Sequence, residues 1–208
     1  MEADATRAVL MYFIMPLWLL AAFADWLCHR AADIEHTSGP KETLIHLALF
    51  TEMAVPVALV MNFEVNALII AVMILFWALH EATAVYDVAY AAAHREVTPI
   101  EQWVHSYLGV LPLMSLVLVV TSNWSQLQAL FGFGPDPARF DLTWRSPGLP
   151  LWYQAAILAG TFLFVVLPYA EELRRGLRAA STGVRRREPG SHVYPTWKDA
   201  DHGEKSTR

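Results

Sequence analysis

The chain is poor in cysteine and in charge. Its single cysteine, Cys28, cannot form an intramolecular disulfide, so cysteine usage does not reveal a redox compartment. Asp25, Trp26 and Leu27 precede it, and residues of that size do not suit a lipidation signal. The first apolar block has neither a small-residue cleavage site nor a strongly basic start, which reads as a retained span rather than a signal peptide. Charged residues make up only 17% of the chain. The one basic cluster follows an apolar block and carries no recognition motif, which argues against nucleic acid as a partner. No internal repeat is visible. The formal net charge of −5 says little, because acids are scattered while arginines gather near the end.

What the chain has instead is apolar length. Hydrophobic residues form 55% of its 208 positions, in blocks that reach the roughly 20 residues a membrane-crossing helix needs. Five spans are predicted, at about Ala8–Arg30, Glu42–Asn62, Val65–His94, Pro99–Val120 and Leu151–Glu171. Backbone polar groups in lipid must be satisfied within the segment, so these blocks are expected as helices, kinked where Pro16, Pro56, Pro112 and Pro168 fall inside them. The expected fold is therefore an all-α, polytopic membrane bundle with an inward-facing metal site among its first four helices. Residues 1–176 form the transmembrane domain and residues 177–208 a disordered tail. Thr98, Pro99 and Glu101 read as a helix opening with cap, first-position proline and third-position acid. The long loop 121–150 is irregular beyond a short interfacial helix at Trp124–Phe131.

Orientation follows from basic residues. Arg174, Arg175, Arg178, Arg185, Arg186 and Arg187 follow the last span with no acid between them, which places the C-terminus in the cytoplasm. Five spans then put the N-terminus outside, and Arg30, Lys41 and Arg95 fall on cytoplasmic connections. A bacterial inner membrane is the expected location.

On this map the ionisable residues gather at one side. Asp25 and His29 close the first span, Glu42 and His46 open the second, and Glu101 and His105 open the fourth. Each pair is four residues apart and shares a helix face. His80, Asp87 and His94 recur every seven residues along the third span and keep nearly one face. Charge in lipid is costly, and stacked carboxylates and imidazoles are best relieved by a shared cation. Mixed oxygen and nitrogen donors suit iron, manganese or zinc. Asp25, His29, Glu42, His46, His80, Asp87, His94, Glu101 and His105 are the candidate ligands. Glu52 and Glu81 lie off the main stripes and are candidate catalytic or proton-relay residues. Glu35 and His36 are placed to cap the site from the aqueous side, with Tyr86, Tyr90 and Tyr107 near enough in sequence to donate hydrogen bonds. The fifth span carries no acid, histidine, lysine or arginine between Leu151 and Ala170 and is assigned to packing.

This ligand pattern, from Asp25 to His105, resembles that of di-iron carboxylate and histidine helical bundles. It departs from them in spacing the pairs by four rather than three and in opening one pair with aspartate. The resemblance implies two metal ions, iron first, with manganese or zinc as alternatives. The expected function is a membrane oxidoreductase that uses dioxygen on a hydrophobic or lipid-borne substrate, with a cytosolic electron donor. Alternatives are a zinc-dependent hydrolase, a haem b electron-transfer protein using histidine pairs, and an ion or metal transporter. Transport ranks lower because the outer halves of the helices offer little beyond Glu64.

Overall fold

The computed structural model describes residues 2–182 of the chain. Five helices are long and apolar enough to cross a membrane: α1 (Ala5–Ala31), α2 (Pro40–Asn62), α3 (Ala67–His94), α4 (Pro99–Ser122) and α6 (Leu151–Ser181). The short α5 (Trp124–Leu130) follows α4 at once, as the sequence predicts. The only strand-like feature among the described residues is an isolated bridge between Phe63 and Trp144. The protein is thus an all-α polytopic bundle. Its last helix reaches Ser181, past the boundary drawn at 177, and residues 183–208 of the expected tail lie outside the described residues.

Large apolar side chains face outward along the spans. Leu75 is 64% exposed and Leu158 72%, an arrangement that water would penalise and lipid does not. The interior is lined by small packed clusters. Leu19, Ala22, Val165 and Tyr169 join α1 to α6, and Ile69, Met73, Leu116 and Val119 join α3 to α4.

Two of the helices contain π-helical turns, at Leu10–Ile14 in α1 and Phe162–Val166 in α6. Each ends one residue before a Met-Pro or Leu-Pro pair, at Met15-Pro16 and Leu167-Pro168. Proline lacks the N–H for the i−4 carbonyl and its ring presses on that carbonyl, so the preceding turn widens.

The helices close into a ring. α1 packs against α4 and α6, α4 against α3, α3 against α2, and α2 against α6. The last helix therefore stands between the first two. Close approach secures it there. A Cβ on Gly160 would lie 3.0 Å from Leu19 Cδ1, and one on Gly176 would lie 3.1 Å from Pro40 Cα. At the opposite end, the loop runs beside the α2–α3 connection. Glu64 N donates to Thr143 O (2.9 Å), Leu68 N to Arg139 O (3.1 Å) and Arg145 N to Asn62 O (2.9 Å). Asn66 caps α3 by accepting from Ile69 N and donates to Asp141 O (2.7 Å).

Candidate metal centre

The i, i+4 pairs point inward. Asp25 and His29 lie in the last two turns of α1, Glu42 and His46 in the first two of α2, and Glu101 and His105 in the first two of α4. Because α1 runs opposite to α2 and α4, these ends meet at one level of the ring. All six are buried or nearly so: Asp25 is 1% exposed, His29, Glu42 and Glu101 are fully enclosed, and the His105 side chain is 17% exposed.

Asp25, His29, His46 and His105 each bring one donor atom to within 4.8 Å of the others. From Asp25 Oδ2, His29 Nε2 is 3.5 Å away and His46 Nε2 4.0 Å, while His105 Nε2 lies 2.9 Å from Oδ1. Metal–ligand bonds of about 2.0–2.1 Å place donor atoms on one ion about 3–4 Å apart. Asp25 Oδ1 and His105 Nε2 are buried and make no hydrogen bond despite their short separation, and His29 Nε2 and His46 Nδ1 are also buried without a partner. Buried polar atoms left unpaired are expensive. Donors that crowd together without aligning to each other have the geometry of ligands aimed at a common cation.

A second group adjoins the first. Glu42 Oε1 and Glu101 Oε1 lie 3.9 and 3.7 Å from His29 Nε2. Arg95, on the α3–α4 connection, inserts its guanidinium between those two carboxylates. Its Nη2 bonds both, and its Nε lies 3.2 Å from Glu42. Burial opposes that charge, but the hydrogen bonds and fields of Glu101 and Glu42 outweigh it and hold the guanidinium above its ordinary pKa. The acid of the predicted helix opening is accordingly diverted. Thr98 Oγ1 does accept from Glu101 N (3.2 Å), but the Glu101 carboxylate goes to Arg95 instead of returning to the cap.

Other groups orient the ligands. His29 Nδ1 donates to Glu172 Oε2 (3.2 Å), and Glu172 Oε1 accepts from Thr43 (2.8 Å). Tyr169 Oη donates to Asp25 Oδ2 (2.9 Å). Asp87 Oδ2 lies 3.1 Å from His46 Nε2, the nitrogen that also faces Asp25, so an ion on Nε2 would displace this contact whereas one on the unpartnered Nδ1 would keep it. Such outer contacts fix ring orientation and raise ligand basicity in metal sites. Five buried carboxylates, Asp25, Glu42, Asp87, Glu101 and Glu172, face a single guanidinium. With neutral imidazoles that leaves four negative charges in a protein interior, a state that demands cations or protons.

The remaining predicted residues are placed elsewhere. His80 and Glu52 form a separate, deeper pair, with Nδ1 3.8 Å from Oε2, and Glu52 accepts from Thr83 (2.8 Å). Glu81 faces Gly109 of α4. His94 turns back along α3, its Nδ1 2.7 Å from Tyr90 O and its ring against the Tyr90 ring, so it is not brought to the cluster. Glu35 binds Arg175, and His36 lies 3.0 Å from Asp33. Tyr86 and Tyr90 lie beside Lys41, and Tyr107 packs on Trp103. The phenol that reaches the cluster is Tyr169. Arg95, Tyr169, Glu172 and Thr43 are thus site residues that spacing on the first four spans did not reveal. α6 does more than pack, because it delivers two of them. The one signal was Glu172 itself, an acid two turns from the end of an apolar helix.

No protein-family model matches the chain, and no curated protein or solved structure is significantly similar to it.

Proposed function

We propose that the protein is a metal-dependent membrane oxidoreductase whose ion is held by Asp25, His29, His46 and His105. The convergence of these four buried donors, two of them close but not hydrogen-bonded to each other, carries the reading. Three imidazoles and a carboxylate suit iron first, with manganese and zinc as alternatives. A redox-active ion bound there would supply dioxygen activation and accept electrons from a cytosolic donor. The protein's own residues do the rest. Glu172 and Tyr169 set the orientation of His29 and Asp25. The Glu52–His80 pair, on the apolar side of the centre, is positioned to hold and move a proton toward a substrate arriving from the lipid.

The pair of ions expected from the ligand count meets an obstacle in Arg95. Its guanidinium fills the position between Glu42 and Glu101 where a second cation would be held. One ion per chain is therefore the proposed stoichiometry, with Arg95 as a built-in countercharge. The arginines after α6 support the proposal that this end of the bundle faces the cytoplasm of a bacterial inner membrane.

The deciding experiment is elemental analysis and optical spectroscopy of detergent-purified protein, followed by oxygen uptake with a chemical reductant. One iron per chain and metal-dependent oxygen uptake are expected. Stoichiometric zinc with oxygen-independent activity would replace the proposal with hydrolysis, and a Soret band would replace it with haem. Two ions per chain would show that Arg95 gives way.

A further inference from the structure

The half of the bundle away from the cluster holds a partly open cavity of about 590 Å³. That volume is within the roughly 300–1,000 Å³ usual for small-molecule sites. All five spanning helices contribute to its wall, which is mostly apolar. Along α1 it extends from Thr6 to Trp18, twelve residues and therefore roughly 18 Å of helix. Its inner end is formed by Trp18, Met53, Trp77 and Leu111. Met53 adjoins Glu52 in sequence, and Trp77 is one turn from His80. The apolar bore therefore ends within one helical turn of Glu52 and His80, at its end nearer the cluster.

The outer end is charged. Arg7, Arg145 and Glu64 line it. Glu64 is already engaged by Arg139, which also holds Asp141. Arg145 donates from Nη2 to Val60 O (2.9 Å), yet its Nε is buried with no hydrogen-bond partner, and no carboxylate of the described residues forms an ion pair with it. Burial and the nearby Arg7 charge pull the Arg145 guanidinium below its ordinary pKa, with Glu64 acting weakly in the other direction. Two cations thus crowd the rim of a deep apolar bore, and one of them has an unmet donor.

We infer that this cavity binds an amphiphile with one long apolar chain and one anionic head, the head on Arg145 and Arg7 and the chain end directed at Glu52 and His80. A single chain suits the volume of the cavity, and an anion meets the buried Nε of Arg145 and the Arg7 charge beside it. That this amphiphile is the substrate rests on the metal-centre reading. That it binds does not.

The test measures radiolabelled hexadecanoate binding to full-length protein in phosphatidylcholine nanodiscs, with hexadecanol and hexadecyl phosphate as competitors. Saturable binding is expected, with the alcohol at least tenfold weaker than either anion. Arg145→Gln should weaken hexadecanoate at least tenfold while leaving hexadecanol and metal content unchanged. Val57→Trp, which fills the bore, should abolish binding of all three without altering elution or metal content. Equal binding of acid and alcohol, no effect of Arg145→Gln, or a retained two-chain phospholipid that hexadecanoate cannot displace would each overturn the inference. The same binding assay on protein stripped with a chelator separates the two readings. Binding that persists after stripping leaves the cavity assignment standing on its own, while the metal content of the unstripped protein alone decides the metal centre.

Discussion

Replacing Asp25 by asparagine preserves its volume and removes the charge that three imidazoles surround. Metal content should fall at least tenfold, as it should for His46→Ala or His105→Ala, while far-UV circular dichroism and membrane insertion stay as in the parent protein. Full metal occupancy in Asp25→Asn would remove the four-donor site. Tyr169→Phe deletes one hydroxyl that donates to Asp25 and leaves the apolar contacts of the ring in place. Loss of such an outer partner costs about 10–100-fold in metal affinity. The expected result is a centre that still binds but releases its ion more readily to a competing chelator. The histidines of these pairs were legible in the sequence because i, i+4 spacing alone puts them on a face. Arg95 and Tyr169 were not, because their roles depend on which helices become neighbours. His94 shows the converse. Its place on the α3 stripe is regular, yet the backbone carbonyl of Tyr90 lies closer than the cluster does.

Among the elements, α6 depends most on a close approach. Gly176 lies against Pro40, and Glu172, one turn earlier, must stay within reach of His29 and Thr43. Gly176→Val should push α6 from the start of α2. Overpacking of this kind costs about 1–3 kcal/mol, so the thermal unfolding midpoint in detergent should drop and metal affinity should fall with it. An unchanged midpoint would mean that the contact yields cheaply. The loop between α5 and α6 offers a pH readout. Hydrogen bonds from Arg139 and Thr143 hold the exposed Asp141 carboxyl down at about 2, against 3.8 for an ordinary aspartate. Because the folded value is the lower one, this contact contributes fully above the unfolded pKa and is lost as pH falls through about 2. A carbon-13 titration of the Asp141 side chain should therefore show its midpoint well below 3.8. The number of helices was legible from hydropathy because lipid imposes length. Their ends were less so. α6 runs on through its arginines, where Arg175 donates to Glu171 one turn back in the same helix and to Glu35 of the α1–α2 connection, and only the second is a match made by a tertiary neighbour.

Across the whole molecule, the centre binds five helices into a ring, and whatever occupies it should be felt everywhere. A ligand at a hundredfold its Kd stabilises by about 2.7 kcal/mol. Removal of the ion by a chelator should therefore lower the unfolding midpoint by several degrees, and re-addition should restore it. No response to either step would place the cluster's charges in balance without a cation. The proposed topology is open to a simple check. A cysteine-reactive, membrane-impermeant reagent applied to intact cells should miss Ser181→Cys and label Ala138→Cys in the outer loop.

The ring is closed by its last member, which occupies the gap between the first two. A ribosome emits α1 and α2 long before α6, so that gap must wait, unfilled by protein, through most of synthesis. Until Tyr169 and Glu172 arrive, Asp25 and His29 lack the partners that aim them. Ion capture would then be a post-synthetic event, timed by completion of the polypeptide, and a nascent chain halted after Leu130 would carry every proposed ligand yet hold its ion poorly.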